Sequence, residues 1–307
     1  MGILRISLFG PMHVEHDEQL TEITPPRVVQ NLLAYLLLTP YRYHSREALM
    51  ARFWEDYPSK QARSCLRTAL WRLRQILEPD GIPKGTYLLT TSSGDIGFNW
   101  DGEYWLDVVI FEKTIEALIK KAVEMIDTAE TQQLENTLAL CTGDLLEGVY
   151  EDWALRERER LRQLYMDGLE YLMLIYKHHQ AYKQSLACGQ QILDHDPLRE
   201  SVHRELMRIY CEAGQPTRAV QQYQICQKIL AQELKIAPMA ETQALHSQII
   251  SATERQKAEQ NTLPPVDFQQ AMQQLQLALE ESQKAQENLR QAAALVQRYV
   301  DQQVSDT

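Results

Sequence analysis

Glycine and proline are scarce in this 307-residue chain, at 12 each, and cysteine is scarcer still at five. That scarcity, beside abundant Leu, Ala, Gln and Glu, leaves a mostly helical chain as the expectation. Cys65, Cys141, Cys188, Cys211 and Cys226 are odd in number, widely spaced and form no C-x-x-C. Such spacing speaks against a disulfide framework and for reducing surroundings. No apolar run approaches the roughly 20 residues that cross a bilayer, and the N-terminus lacks the apolar core of a secretory signal. A cytoplasmic location with no membrane partner is therefore expected. A Gly-rich phosphate loop, G-x-S-x-G and H-E-x-x-H are also missing, so nothing points to an enzyme, a cofactor or a metal.

Positive charge is short overall. The formal net charge is −11, which argues against a surface that coats nucleic acid throughout. Its distribution matters more than its sum. Residues 1–100 hold 11 Lys and Arg against 10 Asp and Glu, and the remainder hold 20 against 32, a net of −12. The asymmetry suggests separate tasks for the two regions.

The first hundred residues mix strands and helices. "ILRISLFG" alternates apolar and polar residues up to Gly10-Pro11 and reads as a strand and turn. "MHVEHDEQLTEI" reads as a second short strand pair. Pro25 and Pro26 suit the start of a helix carrying Val28, Val29, Leu32, Leu33, Leu36 and Leu37, ending before Pro40. Ser45 is an expected N-cap for the next helix and Ser59 for a longer third one. "TYLLTTSSGDIGFNW" then reads as a β-hairpin.

From Asp107 to about Thr253 the pattern is helical and repeats itself. "LMLIY" at 172–176 matches "LMRIY" at 206–210, an offset of 34 that continues through Gln180/Gly214, Ser185/Ala219 and Leu186/Val220. A helix–turn–helix period of about 34 residues is that of tetratricopeptide (TPR) units, which stack because one helical hairpin cannot bury its own apolar face. The polar stretch "ERQKAEQNTLPPVD" reads as a linker. Beyond it Phe268, Met272, Leu275, Leu279, Ser282, Gln286, Leu289, Ala293, Val296 and Val300 alternate by three and four. That seam predicts a coiled-coil helix, with Met272, Leu275, Leu279, Leu289, Val296 and Val300 as dimerisation residues of a homodimer. The alternative is a helix packed back on the repeats.

"QARSCLRTALWRLRQIL", residues 61–77, is basic in an acidic chain. At 100° per residue, Ala62, Leu66, Ala69, Leu70, Leu73, Ile76 and Leu77 share one face. Ser64, Thr68, Trp71 and Gln75 centre the opposite face, with Lys60 and Gln61 near it. Arg67 and Arg72 flank that face, while Arg63 and Arg74 lie closer to the buried edge. Small polar groups between flanking arginines suit base edges between phosphates; the alternative is an ordinary solvated rim. A short helix, a loop, this helix and a hairpin make a winged helix-turn-helix, whose third helix enters the major groove.

"SREALMARFWEDYPSKQARSCLRTALWRLRQIL" resembles the DNA-binding domain of OmpR/PhoB-like winged-helix proteins, and more closely the Streptomyces antibiotic regulatory protein (SARP) family. The resemblance rests on Ser45-Arg46-Glu47, Leu49, Phe53-Trp54, Ala62-Arg63, Leu66-Arg67, Leu70, Leu73-Arg74 and Leu77. "DVVIFEKTIEA", "CTGDLLEGVYEDWALRERERLRQLY", "DHDPLRESVHRELMRIYCEAGQPTRAVQQY" and "ELKIAPMAETQAL" resemble the bacterial transcriptional activator domain that follows in that family. The likeness spans about residues 3–250.

It implies a transcriptional activator that binds direct repeats in double-stranded promoter DNA and holds RNA polymerase there. By position, the DNA-contacting residues would be Lys60, Gln61, Arg63, Ser64, Arg67, Thr68, Trp71, Arg72 and Arg74, with Ser92 and Ser93 at the wing tip. Glu55, Asp56 and Tyr57 would form the polymerase-contact loop. The wing departs from the family pattern: it carries Asp95 and no Lys or Arg, which weighs against a strong phosphate contact there.

The remaining polar clusters read as structural. "DHD" at 194–196, with His178, His179 and His203, is expected to be solvated, as is "WALRERERLR". Cys188, Cys211 and Cys226 are expected to be small core residues. The expected architecture is mainly α. It comprises a winged helix-turn-helix domain (1–100), a TPR-like all-α activator domain (101–253), a linker (254–265) and a coiled-coil helix (266–304). A protein–protein adaptor or sensor built on the repeats and coiled coil is the competing reading.

Overall fold

The computed structural model describes residues 3–16, 26–261, 272–287 and 289–290. Strand β1 (Leu4–Ser7) buries Leu4 and Ile6 fully and exposes Arg5, as alternation requires. It pairs antiparallel with β2 (His13–His16), placing Leu4 opposite His16. Strand β2 is the described part of the segment expected to hold a strand pair; residues 17–25 fall outside the described residues.

Helix α1 (Arg27–Leu37) follows Pro26, whose carbonyl accepts from Val29 N at 2.7 Å and closes the first turn. Helix α2 (Arg46–Phe53) is capped by Ser45, whose hydroxyl accepts from Ala48 N at 3.2 Å. Helix α3 (Ser59–Leu77) differs from the expectation at its start. Ser59 is its first helical residue, and Pro58 occupies the cap position. The Pro58 carbonyl accepts from Gln61 N and Ala62 N at 2.8 and 2.9 Å. Its ring fixes φ at a value that leads directly into a helix, so no hydroxyl cap is needed.

Strands β3 (Leu88–Thr90) and β4 (Ile96–Phe98) form the expected hairpin, with Leu89 opposite Gly97. A third strand, β5 (Tyr104–Leu106), was not anticipated. It runs parallel to β1 and completes a sheet of order β2-β1-β5. Asp107, which opens α4 (Asp107–Leu118), locks this arrangement: its buried carboxylate accepts from Leu8 N at 2.7 Å and Phe9 N at 2.9 Å. Gly10 N to Asp144 O and Leu146 N to Leu8 O, both 2.9 Å, extend the stitching from the β1 end to the loop at 141–149.

The helical region continues with α5 (Thr128–Leu138), started by a capping box of Asp127 and Glu130. Then come α6 (Asp152–His178), α7 (Tyr182–His195), α8 (Glu200–Glu212), α9 (Pro216–Glu233) and α10 (Ala240–Asn261). The internal repeat is visible in the backbone. Gln180 and Gly214, 34 residues apart, both adopt positive φ, at 57° and 71°. The residues after them make the same turn-closing bond, Ala181 N to Tyr176 O at 2.8 Å and Gln215 N to Tyr210 O at 2.7 Å. Leu172/Leu206, Met173/Met207, Ile175/Ile209 and Ser185/Ala219 are all buried.

Three local expectations are corrected. His203 is buried rather than solvated: its ring meets Pro197 O at 3.0 Å through Nε2 and the Gln222 amide at 2.8 Å through Nδ1. The start of α6 is only half solvated, since Trp153, Ala154 and Leu161 are buried. Arg158 there donates to the carbonyls of Leu145, Leu146 and Val149 at 2.9–3.0 Å. Finally, α10 runs to Asn261, through the first half of the polar stretch read as a linker. Cys188 and Cys226 are core residues as expected, whereas Cys211 is half-buried.

Residues 272–287 are helical. Met272, Leu275 and Leu279 are exposed there and Leu289 is exposed at its own position, while Val296 and Val300 lie outside the described residues. No helix among the described residues is long and apolar enough to cross a membrane.

Candidate nucleic-acid interface

Helix α3 divides its residues as its periodicity dictates. Ala62, Leu66, Ala69, Leu70, Leu73, Ile76 and Leu77 are buried, the same seven that share the apolar face of the wheel. Burying five branched aliphatic side chains contributes roughly 1.5–3 kcal/mol each, so the rotation of this helix about its axis is fixed by its core. The rest is then presented outward without any special device. Lys60, Gln61, Arg63, Ser64, Arg67, Thr68, Trp71 and Arg72 are all exposed.

Trp71, 60% exposed, stands in the centre of that face. Among the described residues Lys60, Arg63, Arg67 and Arg72 make no hydrogen bond or ion pair. No carboxylate among the described residues pairs with them, so their charge is available to a ligand. Thr68 is more constrained. Its hydroxyl donates to Ser64 O at 3.0 Å, which leaves its oxygen as an acceptor and its methyl as an apolar contact. Ser64, Thr68 and Arg72 also edge a shallow groove of about 230 Å³ whose far wall is Val28, Val29 and Trp54. The polar face therefore has a recess along one side.

Arg74 behaves differently from the other arginines. It is half-buried and its Nη2 donates to Thr90 Oγ1 at 3.0 Å, bridging α3 to β3. Its guanidinium serves the junction between helix and hairpin.

The wing tip explains its own aspartate. Thr91 N bonds to Asp95 O at 2.9 Å and Asp95 N to Thr91 Oγ1 at 3.0 Å. Ser93 Oγ donates to Asp95 Oδ2 at 2.7 Å while accepting from Thr91 Oγ1 at 2.7 Å. Asp95 and Ser93 thus close the turn on itself, around Gly94 at φ 89°. Ser92 is left exposed at the tip.

A positive charge absent from the wing in sequence reaches it in space. Arg46 Nε donates to Gly94 O at 3.1 Å. The loop before α2 is held there by a two-way backbone bridge, His44 N to Ile96 O at 2.8 Å and Ile96 N to His44 O at 2.9 Å. His44 itself is held below its ordinary pKa by burial first and then by Arg42 and Arg52, so it adds no charge of its own. The sequence places Arg46 among the residues of the family resemblance, but its contact with Gly94, 48 residues on, has no local signature.

Between α2 and α3, Trp54 is buried and Tyr57 N bonds back to its carbonyl at 3.1 Å. That tight turn pushes Glu55, Asp56 and Tyr57 outward, with Tyr57 46% exposed. It is an acidic knuckle next to a basic helix.

Comparison with known proteins agrees with this build. The bacterial transcriptional activator domain family matches residues 106–250. The chain is 27% identical over 252 residues to the regulatory protein AfsR of Streptomyces coelicolor, covering 82% of this chain and 24% of AfsR. It is 24% identical over 268 residues to the transcriptional regulatory protein MoaR1 of Mycobacterium tuberculosis, covering 81% and 80% of the two. Mycobacterium tuberculosis EmbR, solved in complex with a low-affinity phosphopeptide, shares the fold with a TM-score of 0.66 at 21% identity, over 82% of this chain and 66% of that one. The chain thus spans about a quarter of the length of AfsR and most of MoaR1.

Proposed function

On the premise that this chain is a SARP-type transcriptional regulator, carrying a bacterial transcriptional activator domain, we propose that it binds double-stranded promoter DNA through α3 and activates transcription by holding RNA polymerase at that site. The observation that carries this reading is the exposed row Lys60, Arg63, Arg67 and Arg72. It makes no ion pair among the described residues and surrounds Gln61, Ser64, Thr68 and Trp71 on the third helix of a winged helix.

In this reading the arginines and lysine contact phosphates and set the orientation, while Gln61, Ser64 and Thr68 meet base edges. Trp71 covers sugar or a thymine methyl. Arg46, docked on Gly94, gives the wing region the phosphate contact that the wing sequence lacks. Ser92 and Ser93 approach the backbone as uncharged groups. Glu55, Asp56 and Tyr57 offer polymerase an acidic, aromatic knuckle. The winged helix (1–100) supplies DNA binding, and the repeat region (101–253) supplies the scaffold beside it.

Direct-repeat operators are most simply served by two copies. We propose that Met272, Leu275 and Leu279, which are exposed on the 272–287 helix, together with Leu289, Val296 and Val300 pair two chains in a coiled coil. The setting is the cytoplasm.

Gel retardation of genomic fragments across a salt series tests the DNA assignment. Retention of a subset of fragments that weakens steeply as salt rises is expected. No retardation at low salt would instead favour an adaptor acting through the repeats.

A further inference from the structure

Two cavities in the helical region share a wall. The first, of about 390 Å³, lies between Phe9, the loop at 141–145, α6 and α7, and is edged by Arg158, Arg162 and His195. The second, of about 480 Å³, lies between α5, α6 and α7 and is lined by Leu138, Leu169, Leu172 and Cys188. Cys141, Tyr165 and Gln191 border both, and Gln191 Nε2 donates to the Tyr165 hydroxyl at 2.6 Å on that shared wall. The two cavities adjoin at these three residues and have unlike ends.

The basic end is built rather than incidental. Arg158 is anchored through Nε and Nη2 to three backbone carbonyls. Those bonds use neutral acceptors, so its charge is held in place and not neutralised, and its Nη1 has no partner among the described residues. Arg162 lies one helical turn further along α6, and its nearest carboxylate, Glu159, is 4.0 Å away. Asp144 is the one carboxylate edging this end.

The other end carries no competing cation. Glu135 there accepts the Tyr176 hydroxyl, and burial pushes the Cys141 and Cys188 thiols up to about 12 and about 11, keeping them neutral at cellular pH. Cavities of this size suit one small molecule with an apolar body and a few polar anchors.

We infer that these adjoining cavities bind a small amphipathic organic anion, its acidic group at Arg158 and Arg162 and its apolar body against Leu169, Leu172 and Cys188. The occupant also meets Phe9. There the backbones of Gly10 and Gly143 approach so closely that a Cβ on Gly143 would stand 3.2 Å from Gly10 Cα. The inference stands on the cavities alone and does not depend on DNA binding.

Fluorescence titration of the full chain with 1-anilinonaphthalene-8-sulfonate tests it, with N-phenyl-1-naphthylamine as the uncharged analogue. Saturable binding of the sulfonate at one site per chain is expected. Arg162→Gln should weaken the sulfonate about fivefold while moving the analogue by less than about twofold. Ala187→Trp, which fills the apolar end, should weaken both about tenfold. Both positions are exposed, so the variants should retain the melting temperature of the parent. Sulfonate affinity unchanged by Ala187→Trp would overturn the site. Affinity unchanged by Arg162→Gln would overturn the anionic character of its ligand.

Discussion

Arg74 on α3 donates to the hydroxyl of Thr90 on the first hairpin strand at 3.0 Å. Arg46 makes the complementary tie from α2 to the wing tip, 3.1 Å to Gly94 O. The first guanidinium is half-buried and the second exposed, so the two arginines should respond differently to removal. Arg74→Ala is expected to cost about 1 kcal/mol of stability, read as a lowered melting temperature. Its buried Nε, which has no partner among the described residues, limits that loss. Arg46→Ala should leave the melting temperature unchanged. It should weaken DNA binding at every sequence and reduce the salt slope by about one.

Gly189 is a packing requirement. A Cβ built there would stand 2.5 Å from Leu206 Cδ2 and 3.0 Å from the Met173 sulfur. α7 and α8 therefore meet at backbone distance, and Gly189→Ala should destabilise by about 1–3 kcal/mol in urea unfolding. Position 223, one repeat later, is Tyr223, so this close approach is not shared between the repeats.

His203 sets an acid limit on stability. Pro197 O only accepts, so Nε2 carries the ring proton and Nδ1 accepts from the Gln222 amide. Burial lowers the imidazole pKa, and the Pro197 bond and the Glu200 charge oppose it less strongly. Because the folded pKa lies below the unfolded value near 6.5, the contribution is fully present above that value and is lost as pH falls through the folded pKa. The melting temperature should decline as pH falls below about 6.5. His203→Gln should flatten that decline in a calorimetric pH series.

The exposed leucines of residues 272–287 predict a defined change in mass. Leu275→Asp combined with Leu279→Asp places charges in the proposed seam. Sedimentation equilibrium should then give a monomer where the parent gives a dimer. A parent that is already monomeric would remove the coiled-coil proposal.

The sequence was most informative where one period governed a whole element. The seven buried positions of α3 follow from 100° steps because a single apolar stripe against one core leaves no freedom of rotation. The 34-residue repeat was legible for the same reason, and Gln180 and Gly214 share a left-handed turn that their side chains do not advertise.

Other features depended on partners distant in sequence. Strand β5 is three residues long and pairs with β1 about a hundred residues earlier, a relationship with no local signature. Arg46 and Arg74 differ in role because one meets Gly94 and the other Thr90, and spacing within a helix cannot separate them. Likewise His203 is buried because Pro197 and Gln222 satisfy both ring nitrogens, which composition alone does not reveal. The adjoining cavities arise from Phe9, the loop at 141–145, α5, α6 and α7, which are far apart in sequence.

The central claim is that α3 meets DNA through Lys60, Arg63, Arg67 and Arg72. Fluorescence anisotropy of promoter DNA across a salt series, comparing the parent with the Arg67→Ala, Arg72→Ala double variant, tests it most directly. The variant should bind every sequence more weakly, with the slope of log affinity against log salt smaller by about two. Equal affinity and an equal slope for parent and variant would contradict the account.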